Sequence, residues 1–304
     1  MASQGFCYPG HELNHHFLFF KTSLPRDRWP RNYQSVDADF LATTLASYYA
    51  ALEADFFKGI DKHIISSEIL FRSDINEIKD IWRFLDSYFS KLTVIAYVRN
   101  PVEMYSSAQQ QRIRACSTII SPTKYFYDFR NTIASWSQFG RVIVRPYFPE
   151  TDIIDDFSAQ IGIEASSLSR TLNRANQSLS IEQMLVFEKI QTALYKSRDN
   201  AFKPHLYQLG EIKIKGLTVP KLRTEARRII LDRHQEDLNW LNENFGIRFE
   251  NTIGEYSQAA LDQLVSLQPT ARLKDVFAVE DSNFEIYEAK LIDRLCRLQH
   301  NSQD

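Results

Sequence analysis

The sequence predicts an α/β fold with a mainly parallel sheet and helices on both of its faces. Two apolar, β-branched runs, Leu92–Val98 and Arg141–Tyr147, have the composition of buried strands. Each run is followed by a segment in which apolar residues recur at helical spacing. Strands that alternate with helices usually pair in parallel through right-handed crossovers, so we expect ligands at the carboxyl ends of these strands.

The remaining elements follow in order along the chain. The first 31 residues contain several glycines and prolines, and we expect a loop there. A short strand is expected around Ile64 and Ile65, and a serine-rich loop over Thr118–Thr123. Helices are predicted over Asp37–Phe57, Asp74–Phe89, Pro101–Cys116, Tyr125–Phe139, Asp152–Ile161, Ser180–Ser197, Pro220–Phe245, Ser257–Gln268 and Asn283–Gln299.

Size and composition narrow the classes of function. A chain of 304 residues can bury a sizeable core without disulfides, and its three cysteines are too widely separated for a disulfide framework or a zinc site. A formal net charge of −2 gives no general surface for nucleic acid. The sequence has no apolar run long enough to span a membrane and no signal region. We therefore expect a cytoplasmic protein without a metal site; its oligomeric state is not indicated.

The central strand ends at an arginine that is well placed to bind a phosphate. Arg99 follows Val98 directly, and its planar guanidinium group is suited to bidentate phosphate recognition. Asn100 has the character of an N-cap and Pro101 that of a first helical residue, so a helix begins at once. Ser107 lies two turns into this helix, where its hydroxyl can share the phosphate. The alternative is that Arg99 forms an ion pair and Ser107 is an ordinary helical residue.

This segment resembles a nucleotide-binding motif of a known family. An arginine that ends a strand, then Asn-Pro, then a serine eight residues after the arginine is similar to the 3′-phosphate-binding segment of sulfotransferases that use 3′-phosphoadenosine 5′-phosphosulfate. Other short motifs resemble bacterial sulfotransferase-like proteins associated with polysaccharides, in the same order along the chain: Tyr8-Pro9, His15-His16, Ser66-Ser67-Glu68, Arg145-Pro146-Tyr147 and Asn176-Gln177-Ser178-Leu179-Ser180.

The resemblance carries further expectations. It implies a three-layer, mainly parallel sheet of the P-loop nucleoside triphosphate hydrolase-like type over residues 1–250, followed by a helical C-terminal extension over residues 251–304. Arg99 and Ser107 would hold the 3′-phosphate of the donor nucleotide, no metal would be needed, and the acceptor would be a carbohydrate.

The family's N-terminal phosphate loop is not found in this sequence. Lys21-Thr22-Ser23 resembles the end of a Walker-type loop, but His15 and Phe20 occupy the positions of its two glycines. The sequence therefore predicts either a start downstream of the loop or a loss of the loop. In both cases donor binding should be weakened, because backbone donors and a lysine are missing.

Sulfuryl transfer to a hydroxyl requires a base, and the sequence offers several candidates. Glu68 follows a strand that we expect in the same sheet as Arg99, although a solvated or salt-bridged glutamate is the alternative. His15 and His16 have the imidazole suited to proton abstraction at neutral pH, with acceptor binding equally open. Arg145 is expected to bind an anionic acceptor or to pair with Glu68. The Asn176–Ser180 motif has a simpler explanation as a helix N-cap.

Three functions therefore stay open from the sequence. The first is a sulfotransferase that moves a sulfuryl group to a carbohydrate or other hydroxyl acceptor, truncated or impaired. The second is a non-catalytic sulfotransferase-like protein that binds a glycan or a protein. The third is an unrelated α/β nucleotide-binding enzyme, whose phosphate loop would be missing in the same way.

Overall fold

The computed structural model is an α/β protein built from many helices and small sheets. It describes residues 5–10, 14–29, 31–34, 36–168, 178–195, 206, 208–209, 212, 214, 217–267 and 269–300. The chain forms two compact units. The first unit contains Met1–Val98 and Asp128–Leu172, and the second contains Arg99–Tyr127 and Asn173–Asp304. Strands and helices alternate along the described part of the chain, and two of its strand pairs are parallel. The predicted α/β class is confirmed.

The elements are numbered in chain order. The strands are β1 Phe6–Cys7, β2 Lys62–His63, β3 Thr93–Val98, β4 Ile119–Ile120, β5 Arg141–Pro146 and β6 Thr270–Ala271. The helices are α1 Arg31–Gln34, α2 Ala38–Phe56, α3 Ile75–Leu85, α4 Pro101–Ile113, α5 Phe129–Ser137, α6 Ile153–Ile161, α7 Ile181–Leu194, α8 Thr224–Phe245, α9 Gln258–Val265, α10 Leu273–Val276 and α11 Asp281–His300. For the residues that the structure describes, the bounds of nine helices agree with the predicted helices to within a few residues at most ends, whereas the short helices α1 and α10 were not predicted.

The strands form three two-stranded sheets among the described residues. β3 and β5 pair in parallel, with Thr93 opposite Arg141 and Val98 opposite Pro146. β1 and β2 form a separate parallel pair, and β4 and β6 pair antiparallel. Loops were expected over the first 31 residues and over Thr118–Thr123. These expectations were wrong for Phe6–Cys7 and Ile119–Ile120, which form the strands β1 and β4. A two-residue strand has no periodicity to detect, and long-range pairing alone defines it.

The core of the first unit is rich in aromatic and branched side chains. It joins a 3₁₀ turn, His16–Lys21, to α2 and α3, and Leu18, Leu52 and Ile78 in it are fully buried. α3 begins with a capping box in which Asp74 and Glu77 bind each other's backbone amides, and its apolar stripe faces this core.

The second unit is organised around α7, which is buried along most of its length. Its polar side chains are used to satisfy backbone groups of neighbouring segments. The Glu188 carboxylate accepts a hydrogen bond from the Leu273 amide (2.9 Å), and Glu182 accepts one from the Thr218 amide (3.0 Å). The Gln191 amide donates to the Arg114 carbonyl oxygen at 2.9 Å. Buried polar groups without such partners would be destabilising.

The C-terminal residues belong to the second unit. The Arg223 amide donates to the Val276 carbonyl (2.9 Å), and the Ala278 amide donates to the Lys221 carbonyl (2.8 Å). The two-unit division therefore places residues 251–304 together with α4, α7 and α8. Within the described ranges, no helix combines the length and the apolar character needed to cross a membrane.

We expect Gly140→Ala to destabilise the first unit. A Cβ at Gly140 would lie 2.8 Å from the Leu92 Cβ and closer still to the Leu92 carbonyl oxygen, so the β3–β5 pair would have to separate at its start. Such overpacking costs about 1–3 kcal/mol, which urea denaturation can measure.

Gly254→Ala is the matched control for this substitution. A Cβ at Gly254 would meet nothing nearer than the Thr224 Oγ1, at 3.9 Å. We expect its free energy of unfolding to change by less than about 0.5 kcal/mol. Equal destabilisation by the two substitutions would contradict a steric requirement at Gly140.

Candidate functional site

Two residues at α4 are predicted to bind a phosphate: Arg99, which precedes the helix, and Ser107, which lies within it. Asn100 caps the helix by accepting a hydrogen bond from the Val102 amide (2.9 Å), and Pro101 is the first helical residue, as predicted. Arg99 is half-buried, and its Nε donates to the Glu103 carboxylate at 2.9 Å. Ser107 is exposed and lies one turn beyond Glu103. Residues four apart share a helix face, so Glu103 and Ser107 face the same side of α4.

Glu103 is a member of this site that the sequence analysis did not single out. Its carboxylate would repel a phosphate that binds Arg99, and it occupies one of the five guanidinium donors. The ion pair is solvent-accessible, with 35% of the Arg99 side chain and 39% of the Glu103 side chain exposed. Such pairs contribute only about 0–1 kcal/mol, so an anionic ligand can displace the carboxylate at small cost. The sequence could have indicated this ion pair, because Arg99 and Glu103 have opposite charges and are four residues apart.

A second polar cluster lies in the first unit, on β3, β5 and α6. Tyr97 and Arg145 stand opposite each other in the paired strands, and both bind Asp156 of α6. The Tyr97 hydroxyl donates to Asp156 Oδ2 at 2.7 Å, and the Arg145 Nε donates to the same oxygen at 3.1 Å. Arg145 Nη2 also donates to Asp156 Oδ1. The partner of Arg145 is therefore Asp156, which corrects the expected pairing with Glu68.

The electrostatics of this cluster follow from its hydrogen bonds. The hydrogen bond from Arg145 holds the pKa of Asp156 below its ordinary value, and the same bond raises the pKa of Arg145. Burial, followed by the bond to Asp156, raises the pKa of Tyr97. All three groups are therefore held in their ordinary charge states at neutral pH. An anion-binding role for Arg145 stays a prediction.

His15 is fully buried, and both of its ring nitrogens are bound to the backbone. The Ser66 amide donates to Nδ1 (2.9 Å), so the ring proton lies on Nε2, which donates to the Pro9 carbonyl oxygen (2.9 Å). The His15 amide also donates to the Ser66 carbonyl at 2.7 Å, and the Tyr8 ring packs at 4.5 Å between centroids. Burial lowers the pKa of His15. This geometry gives His15 a structural role and does not support the predicted catalytic one.

His16 is half-buried, and its ring contacts two polar side chains. Its backbone amide and its ring Nδ1 both donate to Asn14 Oδ1, which identifies that atom as the carbonyl oxygen and places the ring proton on Nδ1. The opposite nitrogen, Nε2, lies 2.5 Å from the Tyr33 hydroxyl. The imidazole is thus held by the Asn14 amide on one side and by the Tyr33 hydroxyl on the other, so both of its ring nitrogens have side-chain partners. Asn14 and Tyr33 were not singled out from the sequence.

Glu68 lies in an exposed turn of the first unit, after the segment that follows β2. Because β2 pairs with β1 and β3 pairs with β5, the strand before Glu68 does not belong to the β3 sheet. The expectation that Glu68 shares a sheet with Arg99 is therefore wrong. Strand pairing depends on contacts distant in sequence, and apolar runs do not specify it.

The remaining predicted motifs have structural explanations or lie outside the described ranges. Asn176 and Gln177 are not among the described residues. Ser180 forms a capping box with Gln183 at the start of α7, which is the N-cap explanation of that motif. Among the residues that the structure describes, no group of three or more His, Cys, Asp or Glu side chains is placed to hold a metal ion.

The chain is similar to an uncharacterized protein of Archaeoglobus fulgidus. The two are 29% identical over 204 residues, which cover 63% of this chain and 56% of that protein. The match therefore spans little more than half the length of that relative. No protein-family model matches the chain, and no solved structure matches it.

We expect stability to fall on mild acidification because each unit holds a buried neutral histidine. His234 resembles His15: it is fully buried, the Tyr127 amide donates to its Nε2 (3.0 Å), and burial lowers its pKa. Below the unfolded pKa of about 6.5 the unfolded chain binds protons that the folded chain does not. The free energy of unfolding should therefore decrease from pH 7 to pH 5, by at most about 1.4 kcal/mol per pH unit for each histidine.

Urea denaturation of the His15→Gln, His234→Gln double variant at several pH values checks this expectation. The difference in free energy of unfolding between pH 7 and pH 5 should become smaller in this double variant than in the unaltered protein. Carboxylates with lowered pKa, such as Asp156, lose their contribution only below their unfolded pKa of about 4. An unchanged pH dependence in the double variant would contradict the assignment.

Proposed function

We propose that this protein is a sulfotransferase that uses 3′-phosphoadenosine 5′-phosphosulfate, and that its α/β fold is of the sulfotransferase type. The observation that carries the proposal is the start of α4, where Arg99 precedes an Asn100-capped helix. Glu103 and Ser107 follow at intervals of four residues from Arg99, which fits one phosphate held by the guanidinium group and the hydroxyl. Parallel pairing of β3, the strand that leads to Arg99, agrees with the same family resemblance.

The proposed reaction moves a sulfuryl group from the nucleotide to an acceptor hydroxyl. The acceptor oxygen forms a bond to sulfur, the bond between sulfur and the 5′-phosphate oxygen breaks, and adenosine 3′,5′-bisphosphate leaves. A base takes the acceptor proton. Of the candidates, His16 is the best supported, because it is half-buried and its ring is held by the side chains of Asn14 and Tyr33 and not by the backbone. As the base, its Nε2 would exchange the Tyr33 hydroxyl for the acceptor hydroxyl. His15 has both nitrogens bound to backbone groups, and Glu68 is solvent-exposed.

One observation favours the second candidate function, a non-catalytic protein that binds a glycan. The Arg99–Glu103 ion pair satisfies part of the guanidinium group without any nucleotide. In such a protein the motif around α4 would be retained for the structure of the second unit, through contacts such as that of the Asn100 side chain with the Glu250 carbonyl oxygen (3.2 Å). Nucleotide binding separates the two functions.

We expect this chain to bind adenosine 3′,5′-bisphosphate through Arg99, and calorimetry can measure the affinity. Arg99→Ala should weaken binding about 10- to 100-fold, because a hydrogen bond to a charged group contributes about 1.5–3 kcal/mol. Glu103→Gln should strengthen binding a few-fold, since it removes the competing charge. Adenosine 5′-phosphate lacks the 3′-phosphate, and its affinity should not respond to Arg99→Ala.

Arg228 and Asp232 provide matched control variants in the same unit. They form an ion pair with the same spacing on α8, at 2.6 Å, and both are solvent-accessible. Arg228→Ala and Asp232→Asn make the same changes in charge as the test variants and should leave nucleotide affinity unchanged. Identical affinities of the Arg99→Ala and unaltered proteins would remove the basis of the sulfotransferase proposal.

A further inference from the structure

An open groove runs along α2 in the first unit. It has a volume of about 470 Å³ and is lined by Phe17 of the 3₁₀ turn and by one face of α2 from Phe40 to Ala51. This volume is within the range of about 300–1,000 Å³ that is typical of ligand sites. The sequence analysis assigned no role to any residue of this groove.

The lining has the chemistry of a site for a neutral polyol. Thr43 and Thr44 donate their hydroxyl hydrogens to the carbonyl oxygens of Asp39 and Phe40, at 2.9 Å each. Their lone pairs are therefore presented as acceptors, which suits a ligand with many hydroxyl donors. Phe40 is 67% exposed and offers an apolar face of the kind that packs against a sugar ring. Among the described residues that line the groove, none is charged.

The groove adjoins the His16–Tyr33 pair through a shared aromatic wall. The Phe17 ring, which lines the groove, packs against the ring of His16 at 4.4 Å and that of Tyr33 at 5.8 Å between centroids. The Phe17 ring also contacts the ring of Tyr48, a further lining residue, at 5.3 Å between centroids. The His16–Tyr33 pair, with 2.5 Å between His16 Nε2 and the Tyr33 hydroxyl, thus lies next to this groove.

We propose that the α2 groove binds a neutral carbohydrate. The proposal adds a ligand site in the first unit to the nucleotide site proposed in the second unit, and it names an uncharged sugar as the ligand. That this sugar is the acceptor of the reaction rests on the proposed function. The ring of the base candidate His16 packs against the Phe17 ring, which lines the groove. Sugar binding in the groove does not itself require the nucleotide, so it can be tested separately.

An NMR titration of the full chain with two neutral hexasaccharides, maltohexaose and cellohexaose, tests the proposal. At least one should bind, and Phe40→Ala should weaken that binding at least fivefold, as expected for truncation of an aromatic anchor worth about 1 kcal/mol or more. Thr44→Val, which removes an acceptor oxygen while keeping the shape, should weaken it as well. Affinity should not change between about 0.05 and about 0.5 M salt, because no charge is involved.

Phe57→Ala is the matched control. Phe57 is 76% exposed at the C-terminal end of the same helix and does not line the groove, so its removal should not affect the sugar. Binding of neither hexasaccharide, equal affinities of the Phe40→Ala and unaltered proteins, or preference for a heparin hexasaccharide over the neutral sugars would each overturn the proposal.

The outcome is distinguishable from that of the proposed function. Loss of adenosine 3′,5′-bisphosphate binding with intact sugar binding would overturn the sulfotransferase proposal and leave a glycan-binding protein. Nucleotide binding through Arg99 without sugar binding in the α2 groove would overturn only the present inference.

Discussion

The parallel register of β3 and β5 is the constraint on which the polar cluster of Tyr97, Arg145 and Asp156 depends. It begins where Gly140 passes close to Leu92, an approach that leaves no room for a Cβ. Six residue pairs follow in register, and the fifth brings Tyr97 opposite Arg145. Only in this register do both side chains reach the Asp156 carboxylate on α6. A shift by one residue would move either side chain to the other face of the sheet.

The fully buried histidine of each unit is bound by backbone atoms. His15 and His234 are fully buried with both ring nitrogens bound, and the tautomers differ because Ser66 donates to Nδ1 and Tyr127 donates to Nε2. The carboxylates of α7 cap the amides of other segments in the same manner. A buried group whose hydrogen-bonding atoms are already bound to the backbone cannot bind a ligand without losing those hydrogen bonds. The better candidates are half-buried, such as Arg99 and His16.

The charges around the candidate sites suit two different ligands. Arg99 provides a guanidinium group whose acidic partner is itself accessible and readily displaced, which fits an anionic group such as a 3′-phosphate. The α2 groove has acceptor oxygens and an exposed aromatic ring without a charged lining residue, which fits an uncharged sugar. A donor nucleotide and a carbohydrate acceptor are the pair of substrates that the proposed reaction requires. Each ligand can be tested without the other.

The sequence by itself determined the local features of this protein. The helix starts at Asp74, Asn100 and Ser180 were predictable because a cap and its amide lie within three residues of each other. The strands β3 and β5 were predictable from apolar runs. Tertiary structure decided the pairing of β2 with β1 and the pairing of Arg145 with Asp156. It also decided that both ring nitrogens of His15 are bound to backbone groups. These depend on residues that are distant in sequence, whose contacts no local periodicity encodes.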